Sequence, residues 1–300
     1  MRTQIHFLPT GASDCIILES DGHFAMIDAG EDTDFPPEKP WLKTKGYEAE
    51  ICRYLCTHCA APDGEVYLDF ILGTHSHSDH IGGFDTVIRH PKIHIQKAYL
   101  KPYHAEQVTA FEVERWDNQE VYDQMAAALA ERRIPLISSF DGETLRLGAF
   151  QIRFFNGSYQ RLKCRMGENV HSVVTHVQAY GLRALLMGDM NVQNGGERAI
   201  ARQVGKVDLL KIGHHGYPQS TSAGLLRATH PLVAILPNKQ HYAAPWVLWK
   251  IRHIAKARLY ATENTGGICA EFHPNGMLEI HTGIGSAAFF GAENAPAEKR

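Results

Sequence analysis

Residues 70–83 read FILGTHSHSDHIGG. An apolar run suited to a buried strand ends at Gly73, and His75, His77, Asp79 and His80 then place four ligand-type side chains within six positions. Imidazole and carboxylate are the donors that hold zinc-like ions. In a short turn, alternate side chains point to opposite sides of one small volume, so two ions can share it. His75 and His77 can grip one ion while Asp79 and His80 turn toward the second, and Gly82 with Gly83 lets a helix start close behind. A merely polar loop in a histidine-rich chain does not account for ligands packed this densely behind a buried strand.

Working outward, a binuclear site needs further ligands and a carboxylate able to bridge. The segment RALLMGDMN places Asp189 just past one apolar strand, and VDLLKIGHHGYPQSTS places His214 and His215 just past another. Loops at strand ends are where such sites are built. Alone, Asp189 reads as a turn residue and the His-His-Gly run as a surface loop; joined to the first motif they complete a metal site.

The remaining pattern is alternately strand-like and helix-like. QIHFLP, CIILES and HFAMIDAG open the chain as β-runs separated by Gly, Ser and Asp turn signals, and a Pro-rich loop covers 31–47. A helix is expected near 48–59, a strand at 67–73, and one amphipathic helix or two over 111–133. Strands follow at 134–138, 144–155, 172–179, 182–187, 258–261 and 267–281, with helices at 195–204, 222–229 and 246–256. The arrangement predicts two sheets with helices outside, one domain over 1–285, and a frayed tail from 286 to 300.

Composition narrows the function. Thirty Lys plus Arg against 33 Asp plus Glu give a net charge of −3, which offers no global reason for tight nonspecific binding to nucleic acid or anionic membrane. No run of about 18 apolar residues would span a bilayer. The start of the chain lacks the charged, apolar and small-residue regions of a secretory signal, so a cytoplasmic protein is expected. Cys52, Cys56 and Cys59 follow helical spacing without a second zinc-finger pair, which reads as buried apolar thiols in a reducing compartment.

With the motif THSHSDH, the lone Asp189 and the late histidines in place, the chain resembles the metallo-β-lactamase-fold hydrolases. Asp28 in FAMIDAG matches that superfamily's early acidic position, which orients the metal loop. FAMIDAGEDTDFP, LDFILGTHSHSDHIGG, YLKPY, ERWDN and GKVDLLKIGHH further resemble, in order and spacing, the catalytic domain of pneumococcal-type phosphorylcholine esterases, from about residue 4 to 282. The chain departs from them at His171, where they have Asn, and at Gly216, where they have a third His. More distantly, the GHHG and STS wording at 213–222 is similar to the metallo-β-lactamase-like domain of competence proteins that process DNA, although their His-Pro reads Ala244-Pro245 here.

The resemblance implies an α/β four-layer αββα sandwich of two mixed sheets with a binuclear centre at one edge. It implies His75 and His77 on one ion, Asp79, His80 and His215 on the other, Asp189 bridging, and Asp28 behind the ligands. His171, between the first motif and Asp189, is a further ligand candidate for the first ion. Zinc suits the donor set, with manganese or iron also compatible. Such ions sit roughly 3.5–4 Å apart and supply hydroxide at neutral pH to a phosphodiester. Asp79 and His214 are the catalytic candidates, His214 stabilising charge or protonating the departing alkoxide. The substrate expected is a small or cell-envelope phosphodiester such as a phosphorylcholine ester, with Trp41, Tyr103 and Trp116 as aromatic contacts for the quaternary ammonium. A nucleic-acid phosphodiester, a lactone or a thioester are the alternatives, and a non-catalytic metal-binding protein is a third reading. Oligomeric state is left open.

Overall fold

The structure is a computed structural model that describes residues 2–285; the tail expected from 286 onward lies outside the described residues. Strands β1 (Thr3–Phe7), β2 (Cys15–Ser20) and β3 (His23–Ala29) form an antiparallel meander, and β4 (Val66–Gly73) then adds to β3 in parallel. The short strands β5 (Ile93–Ile95), β6 (Ala98–Leu100) and β7 (Leu136–Ile137) extend this sheet, β5 and β6 both pairing with β4.

The second sheet begins with β8 (Thr144–Leu147), β9 (Phe150–Phe155), β10 (Val174–Ala179) and β11 (Leu182–Leu186), all antiparallel. It continues in parallel through β12 (Leu209–Lys211), β13 (Val233–Leu236) and β14 (Arg258–Ala261). The hairpin of β15 (Ile268–Phe272) and β16 (Leu278–Thr282) returns to β1 in the first sheet. Both sheets are therefore mixed, as expected.

Alternation along the strands explains the layers. Ala184 and Leu186 of β11 point between the sheets, where they join Ile5, Leu18, Ile27, Leu72, Phe150 and Phe154 in one core. Leu185 points the other way and packs with Ile200, Leu225, Leu226 and Val247. Those residues belong to the outer helices Gly196–Val204, Ala223–Thr229 and Pro245–Lys250. On the first sheet, Ile17, Met26 and Ile71 face α1 (Glu48–His58), α2 (Phe84–Arg89) and the helix Asn118–Glu131 through Ile51, Leu55, Val87 and Met125. A strand buried on both faces reads as a continuous apolar run, which is why RALLM and DLLKI were legible. Cys15, Cys52 and Cys59 sit in this apolar layer, and all six cysteines are free thiols.

The amphipathic segment 111–133 resolves into two helices, Ala110–Arg115 and Asn118–Glu131, broken where Trp116 adopts extended backbone. Strands β5 and β6 were not legible, because three residues each are too few to establish alternation. The two sheets are tied at one edge by the Val173 N–H, which donates to the Thr74 carbonyl at 2.9 Å. Gly188 lies at the same junction with φ +50°, and a Cβ there would come within 3.3 Å of Thr74 and Ser172. A side chain at 188 would push the two sheet edges apart. No helix among the described residues is long and apolar enough to cross a membrane.

Candidate metal centre

The centre forms where β4, β11 and β12 end on the same side, so the loops at 74–80, 187–189 and 212–215 converge. Asp79, His80, Asp189 and His215 each offer a ligand atom, and these atoms lie within 4.8 Å of one another; His75, His77 and Asp189 do the same. Asp189 thus belongs to both groups. His80 Nε2 and His215 Nε2 are 3.1 Å apart, and each lies close to Asp189 Oδ1, at 3.2 and 3.3 Å. His75 Nε2 faces His77 Nδ1 at 3.1 Å.

The remaining ring nitrogens show whether a metal fits. Asp28 accepts from the Thr74 N–H and from its hydroxyl, each at 2.8 Å, and its Oδ2 takes the His80 Nδ1–H at 2.7 Å. Since the Thr74 hydroxyl hydrogen is spent on Asp28, its oxygen accepts from His75 Nδ1 at 3.1 Å. His77 Nε2 lies 2.6 Å from Glu112 Oε1, to which it donates. Three histidines are therefore pinned from behind by oxygen acceptors, which turns the lone pairs of His75 Nε2, His77 Nδ1 and His80 Nε2 inward. His215 Nδ1 faces Asp14 at 3.6 Å, and Lys211 in turn bonds Asp14 and the Gly188 carbonyl. Imidazole nitrogens converging on the buried Asp189 Oδ1 are a donor set that fits cations. The further grouping of Asp14, Asp28 and His80 is filled from within by Thr74 and Lys211.

The backbone is shaped for the same end. His214 and His215 both adopt left-handed φ, at +51° and +46°, uncommon for residues with a side chain. This turn directs His215 into the centre while His214 Nδ1 donates to the Pro218 carbonyl at 3.2 Å.

Of the expected residues, the structure brings together His75, His77, Asp79, His80, Asp189 and His215, with Asp28 behind His80. His171 is buried at the end of a 3-10 turn and lines a pocket that also contains His75, outside the tight ligand groupings. Trp116 stands with its ring 4.6 Å from that of His77. Trp41 is exposed; its indole N–H donates to the Arg115 carbonyl at 2.7 Å and the Arg115 guanidinium lies over its ring. Tyr103 is buried in the packing beside Asn118. Glu112, Asp14 and Thr74 went unnoticed in the sequence. Glu112 is the one buried residue of its short helix, while the apolar Phe111 and Val113 are exposed, so amphipathic patterning gave no signal for it.

Without a cation, protons occupy the centre. Burial alone would lower the His80 and His215 pKa values, but the carboxylates of Asp189, Asp28 and Asp79 outweigh it for His80, and Asp189, Asp79 and Asp14 raise His215 to about 9. Burial opposes ionisation of Asp79 too, yet His80 and His215 hold it down to about 2. A histidine raised on folding contributes stability that is complete below its unfolded pKa, about 6.5, and is lost as pH rises through the folded value. The chelated protein should therefore lose thermal stability between about pH 6.5 and 9. Metal must displace these protons, so calorimetric zinc titration at pH 7.5 should release them and show heats that depend on the buffer. Heats independent of the buffer would contradict this picture.

Comparison with known proteins agrees with the geometry. Recombination protein 2 of Haemophilus influenzae is 26% identical over 269 residues, covering 87% of this chain and 27% of that protein. ComE operon protein 3 of Bacillus subtilis is 24% identical over 248 residues, covering 81% of this chain and 29% of its own length. The chain thus spans little more than a quarter of either relative. The metallo-beta-lactamase fold protein YhfI from Bacillus subtilis superposes with a TM-score of 0.52 at 11% identity, covering 87% of this chain and 97% of YhfI, a likeness of fold. The sequence profile of the Metallo-beta-lactamase superfamily matches residues 8–241, and with that span and this His/Asp centre the chain belongs to the metallo-β-lactamase superfamily.

Proposed function

We propose that this protein is a binuclear metal-dependent phosphodiesterase. The observation that carries the reading is Asp189, shared by the His75–His77 group and by the Asp79–His80–His215 group. His75 and His77 would hold one ion, Asp79, His80 and His215 the other, and Asp189 both. When bound, such ions supply a hydroxide nucleophile at neutral pH and neutralise charge on a phosphoryl group. Zinc suits the imidazole-rich donors, and manganese and iron share them. Asp28, Thr74 and Glu112 keep the imidazoles oriented, and Asp79 adds negative charge where the nucleophile is made. His214, with Nδ1 tied to Pro218, turns Nε2 free as a donor to the departing oxygen when protonated.

Two substrate classes follow. The relative named for recombination favours a nucleic-acid phosphodiester, and this would be single-stranded DNA or a related chain. Trp116 against His77 favours a phosphorylcholine ester, since an aromatic face attracts a quaternary ammonium. Trp41 serves this less well, because Arg115 already occupies its ring and would repel a second cation. Tyr103 would contribute by supporting the site from within.

A panel of bis-nitrophenyl phosphate, nitrophenyl phosphorylcholine, single-stranded DNA and a lactone tests the proposal. Chelator-sensitive turnover of bis-nitrophenyl phosphate is expected; turnover of the lactone alone would move the protein to carboxylic-ester chemistry, and none at all to metal binding without catalysis. His171 is proposed to complete the shell of the first ion by swinging across the pocket it shares with His75. His171→Asn should then weaken one of two metal-binding events by about tenfold or more, and an unchanged titration would remove His171 from the ligands.

A further inference from the structure

Lys101 follows β6, whose register sets Leu100 beside Gly73 of β4. The two parallel strands therefore release Lys101 and the Thr74–His75 segment at the same edge. Lys101 is buried at 6% exposure, and its Nζ has no hydrogen-bond partner. The side chain lines a small pocket with His75, Ser76, Tyr159, Glu168 and His171. Glu168 Oε1 accepts the Ser76 N–H at 3.3 Å and attracts Lys101 electrostatically, yet among the described residues no carboxylate oxygen lies within ion-pair distance of its ammonium.

A buried ammonium without hydrogen bonds is costly, and proteins rarely keep one without a partner. Lys211, also buried, shows the satisfied condition, with Asp14 and the Gly188 carbonyl on its ammonium. Lys101 carries three N–H donors and shares the lining of this pocket with His75, a candidate ligand of the centre. The pocket is small, with room for about one oxygen-sized group.

We propose that Lys101 is an anion-reading residue, its ammonium binding a negatively charged phosphoryl oxygen of a substrate seated on the His75 side of the centre. A phosphodiester carries that charge before reaction, whereas a lactone or thioester carbonyl does not, so Lys101 selects the former. The selection rests on the phosphodiesterase reading; the anion site itself does not. It also gives the YLKPY segment a role, because the residue leaving β6 beside the metal loop lines this pocket.

The test is binding of inorganic phosphate to the zinc-loaded full chain by calorimetry, with Lys101→Met and Lys101→Arg. Lys101→Met should weaken phosphate at least tenfold with zinc content and thermal unfolding intact, and should raise KM for bis-nitrophenyl phosphate more than it lowers kcat. Lys101→Arg should bind phosphate within a few-fold of the parent. Equal phosphate affinity in Lys101→Met, or loss of zinc alongside phosphate, overturns the proposal. If Lys101→Met does not fold, ¹⁵N-lysine labelling of the parent decides: phosphate must shift a buried ammonium resonance that Lys101→Arg removes, and an unmoved resonance refutes the site. A parent that binds phosphate through Lys101 yet hydrolyses only lactones leaves the anion site standing and overturns the phosphodiesterase reading.

Discussion

Asp189→Ala is expected to cut hydrolysis by at least about a thousandfold, roughly 4 kcal/mol of barrier, and to lower bound metal from about two ions per chain to at most about one. The size follows from position. Asp189 is the residue common to both ligand groups, its Oδ1 is buried between His80 and His215, and its N–H is fixed by the Ser172 hydroxyl at 3.1 Å. Removing the carboxylate takes a ligand from each ion and leaves His80 and His215 facing one another at 3.1 Å without the negative charge that both contact. Burial opposes ionisation of Asp189, but His215 and His80 hold its pKa well below the usual carboxylate range, so it is an anion throughout the working pH range. Elemental analysis and turnover on the same preparation check the result. Full metal content with unchanged turnover would show that Asp189 bridges nothing.

Glu112→Gln and Asp28→Asn should each cost about 10–100-fold in metal affinity although neither residue contacts an ion, because an acceptor behind a ligating histidine fixes its tautomer and orientation. The two changes fall on different ions. Glu112 holds His77, and Asp28 holds His80 together with Thr74. In a titration that resolves two binding events, Glu112→Gln should weaken one and Asp28→Asn the other. If both variants weaken the same event, the division of the histidines between two ions is wrong. Asp28 sits at left-handed φ, +56°, a conformation asparagine tolerates, so Asn keeps the backbone while removing the charge.

How much of this could be read in the sequence depended on whether a residue's role was local. His75, His77, Asp79 and His80 lie in one turn after one strand, and Asp189 and His215 each follow an apolar run, so their convergence required only that the three strands end on the same side. The sheets were legible for the same reason: β11, β12 and the second half of β4, from Phe70 to Gly73, are largely buried on both faces and nearly all apolar. Glu112 was hidden because its pairing with His77 crosses 35 residues and depends on the break at Trp116, which turns one amphipathic pattern into two helices. Lys101 was hidden because β6 is only three residues long. Trp41 and Tyr103 show the converse: loop position suggests access to substrate, but where a ring points is settled by packing against Arg115 and Asn118.

The candidate ligands of the centre come from the ends of strands in both sheets, His75 to His80 after β4 and Asp189 and His215 after β11 and β12. A bound ion would therefore work as a rivet through two plates already joined at this rim by the backbone bond from Val173 to Thr74 and by the buried ion pair of Lys211 with Asp14. A cation that must leave before the plates can part slows their separation, so the rate of unfolding becomes a function of free metal concentration. Damage far from the chemistry, in either plate, would then be felt first as a loosened rivet: the protein would shed its metal while most of its secondary structure was still in place.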